Sequence, residues 1–247
     1  MKIVVLSVMH NEAEILPFFL RHYMSIADKL IVYSDNSTDG TDAILDAYPK
    51  VERRAWPFIT GLDDIANLDL AVRVNEELES TDFDWIIWVD ADEFVIGNFI
   101  SLASISANIV RCEGYNMIFD GLPNDDGRSQ IWELCQTGVE SPTHSKPIIY
   151  RNGVRPSWFY GKHCLNASPR HNLDTSGMFA LLHYRFLGKD YTAKRNARNW
   201  NRVLRREYAW SCDPEYTGTH SATWAESIHQ AENVALKWVQ QFTKSVA

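Results

Sequence analysis

The sequence predicts an α/β fold: a mostly parallel sheet flanked by helices, with a helical extension at the carboxyl end. Three observations predict it. Short apolar runs alternate with amphipathic stretches of helical spacing through residues 1–90, the pattern of strand–helix–strand units. The runs are nearly continuous rather than alternating apolar with polar, as parallel strands covered on both faces are. Their carboxyl ends carry His, Asn, Ser, Asp and Glu, and that edge of an open α/β sheet is where ligands bind.

The elements follow in order. Ile3 to Met9 reads as the first buried strand, broken by His10-Asn11-Glu12. Glu12 to Ile26 is helical, with Ile15, Phe18, Phe19, Tyr23 and Ile26 on one face. Lys29 to Tyr33 is a strand, followed by the polar turn Ser34-Asp35-Asn36-Ser37-Thr38-Asp39-Gly40 and a short helix from Thr41 to Tyr48. Val51 to Trp56 is a third strand ended by Pro57, and Leu62 to Leu78 a helix. Trp85 to Val89 is the fourth strand. Beyond Phe94 the rhythm changes to shorter strands: Val110–Phe119, Gln130–Cys135, Pro147–Tyr150, Val154–Tyr160 and Phe179–Phe186. These extend the sheet and fold over its edge. From Lys189 the chain turns helical, with a last apolar stripe of Trp224, Ile228, Ala231, Ala235, Trp238 and Phe242 that packs on the domain or on a second subunit.

Composition narrows the function. The apolar share of 45% and charged share of 23% are those of a globular protein with an ordinary core. A net charge of −8 argues against nucleic acid as a partner, because phosphate backbones reward cationic surfaces. Met1 to Leu6 is too short for a signal peptide, and no run approaches a membrane span. Cys112, Cys135, Cys164 and Cys212 are scattered, which suits reduced thiols in the cytoplasm.

The most informative stretch is Trp85-Ile86-Ile87-Trp88-Val89-Asp90-Ala91-Asp92-Glu93-Phe94. If strand geometry persists past its end, Asp90 and Asp92 point to the same side. Paired carboxylates repel each other, and a hard cation such as Mg2+ or Mn2+ is their usual stabilising partner. The plain alternative is a strand end with a polar loop. The turn from Asp35 to Gly40 partly mimics a calcium loop, but such a loop follows a helix and ends in Glu, whereas a strand-like run precedes this one and Asp46 stands twelfth.

Taken in order, Val4 to Glu12, Asp35 to Thr41 and Trp88 to Phe94 resemble the GT-A glycosyltransferases of the family 2 type, in the branch whose acidic motif reads Asp-X-Asp-Glu-Phe. Asn67 to Asn75, with Arg73, resembles a helix of that family. Ser145 to Tyr150, Gly161-Lys162-His163 and Leu181 to Arg185 resemble its later motifs. The resemblance implies a GT-A domain over residues 1–188, in which 1–97 bind a nucleotide sugar and 98–188 face the acceptor, with 189–247 as the helical extension. It implies a nucleoside-diphosphate sugar donor, UDP favoured, and a glycan or lipid-linked acceptor in surface-glycan synthesis. His10, Asn11, Glu12, Asp35 and Arg73 would hold base and ribose, and Asp90 would sit near the ribose. Asp92 would ligate Mn2+ or Mg2+ at the diphosphate, with His183 as a further ligand. Lys146 reads either as a phosphate partner or as a solvated lysine, and His163 as facing either the diphosphate or the acceptor.

Inversion at the sugar needs a base opposite the leaving group. Asp120, Asp125, Asp126 and Glu133 all lie on the acceptor side; Asp120 follows a strand-like run and is preferred, while Glu93 is placed to orient groups at the acidic motif. The basic stripe through 194–206 (Lys194, Arg198, Arg202, Arg205) reads either as a solvated face or as peripheral contact with an anionic membrane or lipid diphosphate. Two rivals stand beside this reading. A nucleotidyltransferase would want a Gly-rich basic loop after the first strand, which His10-Asn11-Glu12 is not. A non-catalytic module would hold a nucleotide, glycan or calcium on the same fold.

Overall fold

The computed structural model describes residues 1–57, 64–158, 162–166, 168–200 and 232–233. Its first half follows the expected alternation: β1 (Ile3–Met9), α1 (Leu16–Tyr23), β2 (Lys29–Ser34), α2 (Thr41–Asp46), β3 (Val51–Ala55), α3 (Asp64–Leu78) and β4 (Trp85–Trp88). After these come β5 (Glu93–Gly97), β6 (Ile109–Val110), β7 (Glu113–Phe119), α4 (Ile131–Leu134), β8 (Thr137–Glu140), β9 (Ile149–Arg151), β10 (Leu173–Asp174), β11 (Phe179–Leu187), α5 (Gly188–Trp200) and β12 (Glu232–Asn233).

Among the described residues the main sheet has seven strands in the order β10-β6-β9-β4-β1-β2-β3. The pairs β4–β1, β1–β2 and β2–β3 are parallel, and β9 is antiparallel to both β4 and β6. Alternation along β1 divides the core. Ile3, Val5 and Met9 pack with Phe18, Phe19 and Tyr23 of α1, while Val4, Leu6 and Val8 pack with Leu70, Val74 and Leu78 of α3. Phe18 and Phe19 are fully buried, and each stabilises the first layer by about 1.5–3 kcal/mol.

The later chain, expected to extend the sheet and fold over its edge, divides between two sheets. β6, β9 and β10 do extend the main sheet, but β5, β7, β8, β11 and β12 form a second one, ordered β12-β8-β7-β11-β5. The cause is local. Instead of continuing as a strand, residues 89–92 turn, with the Glu93 amide donating to the Asp90 carbonyl at 3.1 Å, and this sends β5 out of the main sheet. Three expectations are corrected. The stretch Gln130–Cys135 is helical at its centre rather than a strand, because Glu133 reaches back to the Gln130 amide at 2.7 Å and caps the turn. Val154–Ser157 is irregular, since Pro156 lacks a ladder donor, and only Trp158 makes a bridge, to Leu165. Within the expected last helix, Glu232–Asn233 is a strand paired with β8; the remainder of that helix lies outside the described residues.

α5 leaves β11 through Gly188, at φ +75°, where a Cβ would lie 2.6 Å from the Gly121 amide nitrogen. Only glycine fits that contact and conformation, and it sets the direction in which α5 returns over the strand ends. Of the basic stripe, Lys194 is exposed and pairs with Glu14; the other stripe side chains lie outside the described residues.

Candidate functional site

Two loops and one turn meet at the carboxyl ends of β1, β2 and β4. The loops are bound together by their own side chains. The Asn11 amide donates to Ser37 Oγ at 3.1 Å, and Asn11 Oδ1 accepts from the Thr38 amide at 2.6 Å. The Glu12 amide donates to Thr41 Oγ1 at 2.9 Å, and Asp39 accepts from the Ala13 and Thr41 amides at 3.0 Å each. These donors hold Asp39 below the usual carboxylate range against its partial burial. They also turn its carboxylate onto the loop backbone, and a strand rather than a helix precedes the loop, so the calcium-loop arrangement is not formed. His10 Nδ1 meets the Asp35 carbonyl, and Asp35 itself is buried at the end of β2.

Strand register brings the second half to the same place. β11 pairs with β5 so that His183 faces Glu93, and with β7 so that His183 faces Asn116. His183 Nδ1 therefore lies 2.9 Å from Asn116 Oδ1, leaving Nε2 toward Asp92 Oδ2 at 3.2 Å. The Trp88 amide donates to the Ile148 carbonyl, which brings Lys146 beside the acidic turn.

Each acidic residue of the turn has its own cation. Glu93 Oε1 accepts from Lys146 Nζ at 2.6 Å, while Glu93 Oε2 accepts from the Asp90 amide at 3.0 Å. Asp90 lies 3.3 Å from Lys162 Nζ and 3.7 Å from Lys146 Nζ. Lys162 also sits 5.8 Å from the Trp88 ring centroid, within cation–π range. Asp92 Oδ2 is bonded by Arg195 of α5, whose other nitrogen reaches Glu12 Oε1 at 3.1 Å. Asp90 is the outermost of the three, its side chain 42% exposed, and the two ammonium groups outweigh its desolvation to lower its pKa. Burial alone would raise Asp92; Arg195 and His183 overcome that and hold it well below the carboxylate range. Burial likewise opposes the charge on Lys146, but Glu93 and Asp90 raise its pKa above the ordinary value.

Around His183 stand two more histidines. His144 stacks on it with ring centroids 4.2 Å apart, and His163 is edge-on to His144 at 5.4 Å. Burial, then His183 and Lys146, push His144 down to about 2, so it is neutral at ordinary pH. His163 is lowered by burial and Lys146, and its Nδ1 meets the Thr143 carbonyl.

The structure thus gathers Glu12, Asp90, Asp92, Glu93, Lys146 and His183 and places the His10–Asn11 loop, Asp35 and His163 on the same edge. Arg73 lies on α3, its side chain 60% exposed and paired with Asp69 one turn away. Asp120 is exposed just past β7, four residues beyond Asn116 and so about 13 Å along the strand. Asp125 pairs with Arg21, Asp126 accepts from the Arg128 and Ser129 amides, and Glu133 caps α4. Sequence reasoning missed Lys162, Arg195, Asn116 and His144. A count of charge was the available signal, because four acidic side chains meeting at one edge require counter-charges from elsewhere in the chain.

Carboxylate oxygen and imidazole nitrogen suit Mn2+ or Mg2+, and the Asn116 contact to Nδ1 is the outer support that a ligating histidine usually has. Among the described residues, however, no group of three or more His, Cys, Asp or Glu is arranged to hold a metal. The oxygen that would ligate it, Asp92 Oδ2, carries Arg195 instead. The donor atoms fit an ion, while the space fits one only with Arg195 moved.

The protein has a mixed α/β fold with a largely parallel main sheet, and its joined loops and acidic turn lie at the strand ends where open α/β sheets bind ligands. Residues 4–103, less than half of the 247-residue chain, match the family model Glycosyl transferase family 2. Similar solved structures include a 4-diphosphocytidyl-2C-methyl-D-erythritol synthase, 15% identical with TM-score 0.34, over 62% of this chain and 76% of that one. They also include glucosyl-3-phosphoglycerate synthase from Mycobacterium tuberculosis, in complex with Mn2+, UDP and phosphoglyceric acid. That structure is 19% identical with TM-score 0.32, over 47% of this chain and 43% of that one. A comparison with curated proteins finds no match to the chain.

Proposed function

We propose that the protein transfers a sugar, with inversion, from a nucleoside-diphosphate sugar to an acceptor hydroxyl. The observation that supports this reading most is the meeting of the His10–Glu12 loop, Asp35 and the Asp90–Glu93 turn at one sheet edge, inside the segment that matches the glycosyltransferase model. Residues 1–97 hold the donor, 98–188 the acceptor, and 189–247 form the extension. His10, Asn11, Glu12 and Asp35 bind base and ribose, with Arg73 at the margin of that pocket and Asp90 at the ribose. Lys146 and His163 face the diphosphate, and Glu93 holds Lys146 in place. Asp92 and His183 would hold a divalent ion, which when bound would supply charge neutralisation at the diphosphate.

In the transfer, the acceptor oxygen forms a bond to the anomeric carbon as the bond from that carbon to the diphosphate breaks. The electron pair leaves with the diphosphate oxygen, and the acceptor proton passes to a carboxylate of the acceptor-side half, for which Asp120, just past β7, is the candidate. The pre-set loops position the donor. UDP is the first nucleotide to test, with a glycan or lipid-linked acceptor of surface-glycan synthesis. Among the described residues no helix is long and apolar enough to cross a membrane. A cytoplasmic enzyme touching the inner membrane face through 194–206, or pairing as a homodimer, completes the proposal.

Labelled UDP-, GDP- and dTDP-sugars, each with and without Mn2+, test it. Expected is transfer or slow hydrolysis of one donor, reduced about 100-fold or more in Asp92→Asn and Asp120→Asn. No turnover of any donor overturns the reading in favour of a binding module, and undiminished turnover by Asp92→Asn overturns the role given to Asp92.

A further inference from the structure

The acidic turn is already supplied with cations by the chain itself, and one of them stands apart. Lys146 and Lys162 neutralise Glu93 and Asp90 from the flank, whereas Arg195 bonds the single oxygen, Asp92 Oδ2, that His183 also faces. Arg195 is buried, as are both carboxylates it joins, Asp92 and Glu12. It reaches them from α5, so the helix after β11 is tied at once to the loop after β1 and to the turn after β4.

We propose that Arg195 and a divalent cation are mutually exclusive occupants of Asp92 Oδ2, so that the α5 guanidinium is the site's built-in counter-charge and must leave before an ion can bind. The reasoning is geometric. Mg2+ or Mn2+ takes a carboxylate oxygen at about 2.0–2.2 Å, and a guanidinium in hydrogen-bond contact with that oxygen occupies the same approach. The two charges also repel across a buried site where water screens little. His183 does not share the conflict, because its Nδ1 is directed to Asn116 and its Nε2 is held facing the oxygen. Departure of the guanidinium from Asp92 loosens the tie of α5 to the turn, which makes ion binding and the docking of α5 a single linked equilibrium. A phosphate-bearing ligand is the chemical class that favours the released state, since guanidinium and phosphate form strong paired hydrogen bonds.

The inference rests on the reading of Asp92 as a cation ligand of the donor site, and it is tested with Mn2+ alone, without donor or turnover. Free Mn2+ is titrated by electron paramagnetic resonance into the wild-type chain, Arg195→Gln, and Arg195→Gln combined with Asp92→Asn. Expected is a roughly 10- to 100-fold tighter Mn2+ site in Arg195→Gln than in wild type, with the gain removed by Asp92→Asn. Equal or weaker binding by Arg195→Gln overturns the proposal, and so does a gain that survives Asp92→Asn. If Arg195→Gln does not fold, amide exchange in the wild type decides. Saturating Mn2+ is expected to speed exchange across residues 188–200, and unchanged exchange there overturns the proposal. A chain that shows the competition but transfers no sugar leaves the inference standing and removes only the proposed reaction.

Discussion

Replacing Lys146 by Met removes the cation from beneath the acidic turn while keeping the aliphatic stem. The side chains of Lys146 and Glu93 are 3% and 1% exposed, and their charged atoms are 2.6 Å apart. Neither can recover hydration where it stands. Removing one member of such a pair leaves a buried carboxylate without its partner, and Asp90, 3.7 Å from the same ammonium, loses part of its support as well. The expected loss is about 3–5 kcal/mol, which for a chain of this size lowers the melting temperature by about 6–20 °C. Adding Glu93→Gln should return more than half of that loss, because the neutral amide no longer needs a cation and its oxygen can still accept from the Asp90 amide. Calorimetry of the wild type, both single variants and the double variant at pH 7 measures this. A Lys146→Met chain melting within about 2 °C of wild type, or a double variant no more stable than Lys146→Met, refutes the reasoning.

His22 is buried, its Nε2 2.8 Å from the Val95 carbonyl, and burial lowers its pKa to about 4. A lowered histidine favours the folded state above its unfolded value, so stability should fall by about 3 kcal/mol as pH drops from 6.5 towards 4; denaturant melts of His22→Gln should have a flatter pH profile in that window. Tyr23→Phe removes a hydroxyl that donates to the Glu93 carbonyl at 2.8 Å and accepts from the Val95 amide at 3.0 Å. Chemical denaturation should read a loss of about 1–3 kcal/mol, and no loss would mean that β5 is not anchored there. Gly114→Ala should be worse than a typical surface change by about 1–3 kcal/mol or more, since the new Cβ would lie 2.2 Å from the His144 carbonyl carbon; a wild-type melting curve would refute the close approach of β7 to the His144–Ser145 backbone.

The first ninety residues were legible because β1, β2 and β4 are short, largely apolar runs and the helices between them carry spaced apolar faces; β3, Val51-Glu52-Arg53-Arg54-Ala55 at the sheet edge, is the polar exception. β1 and β2 fall within a residue of the expected spans, and so does the helix start at Thr41. The second half was less legible. β5 follows the acidic turn without a polar break, so nothing in the run Glu93–Gly97 announces that it enters a different sheet. Gln130–Cys135 looks like a strand by its apolar residues, and only the Gln130–Glu133 spacing, a helix-start signal, says otherwise. The site was legible where its residues are consecutive, as at His10–Glu12 and Asp90–Glu93. It was opaque where partners come from far along the chain. Lys162 adopts φ +59°, which its sequence does not advertise, and Arg195 stands beside Lys194 yet turns inward while Lys194 turns out.

The pairing of Glu93 with Lys146, of Asp90 with Lys162 and of Asp92 with Arg195 constrains how this chain can drift over generations. At Glu93–Lys146 and Asp92–Arg195 a lone exchange strands an opposite charge away from solvent, so viable descendants change both members of such a couple or neither, whereas Asp90, 42% exposed and also near Lys146, is less constrained. Lineages that lose Asp92 or Glu93 from the turn should therefore be those that have also replaced its distant basic mate, fifty to a hundred positions downstream.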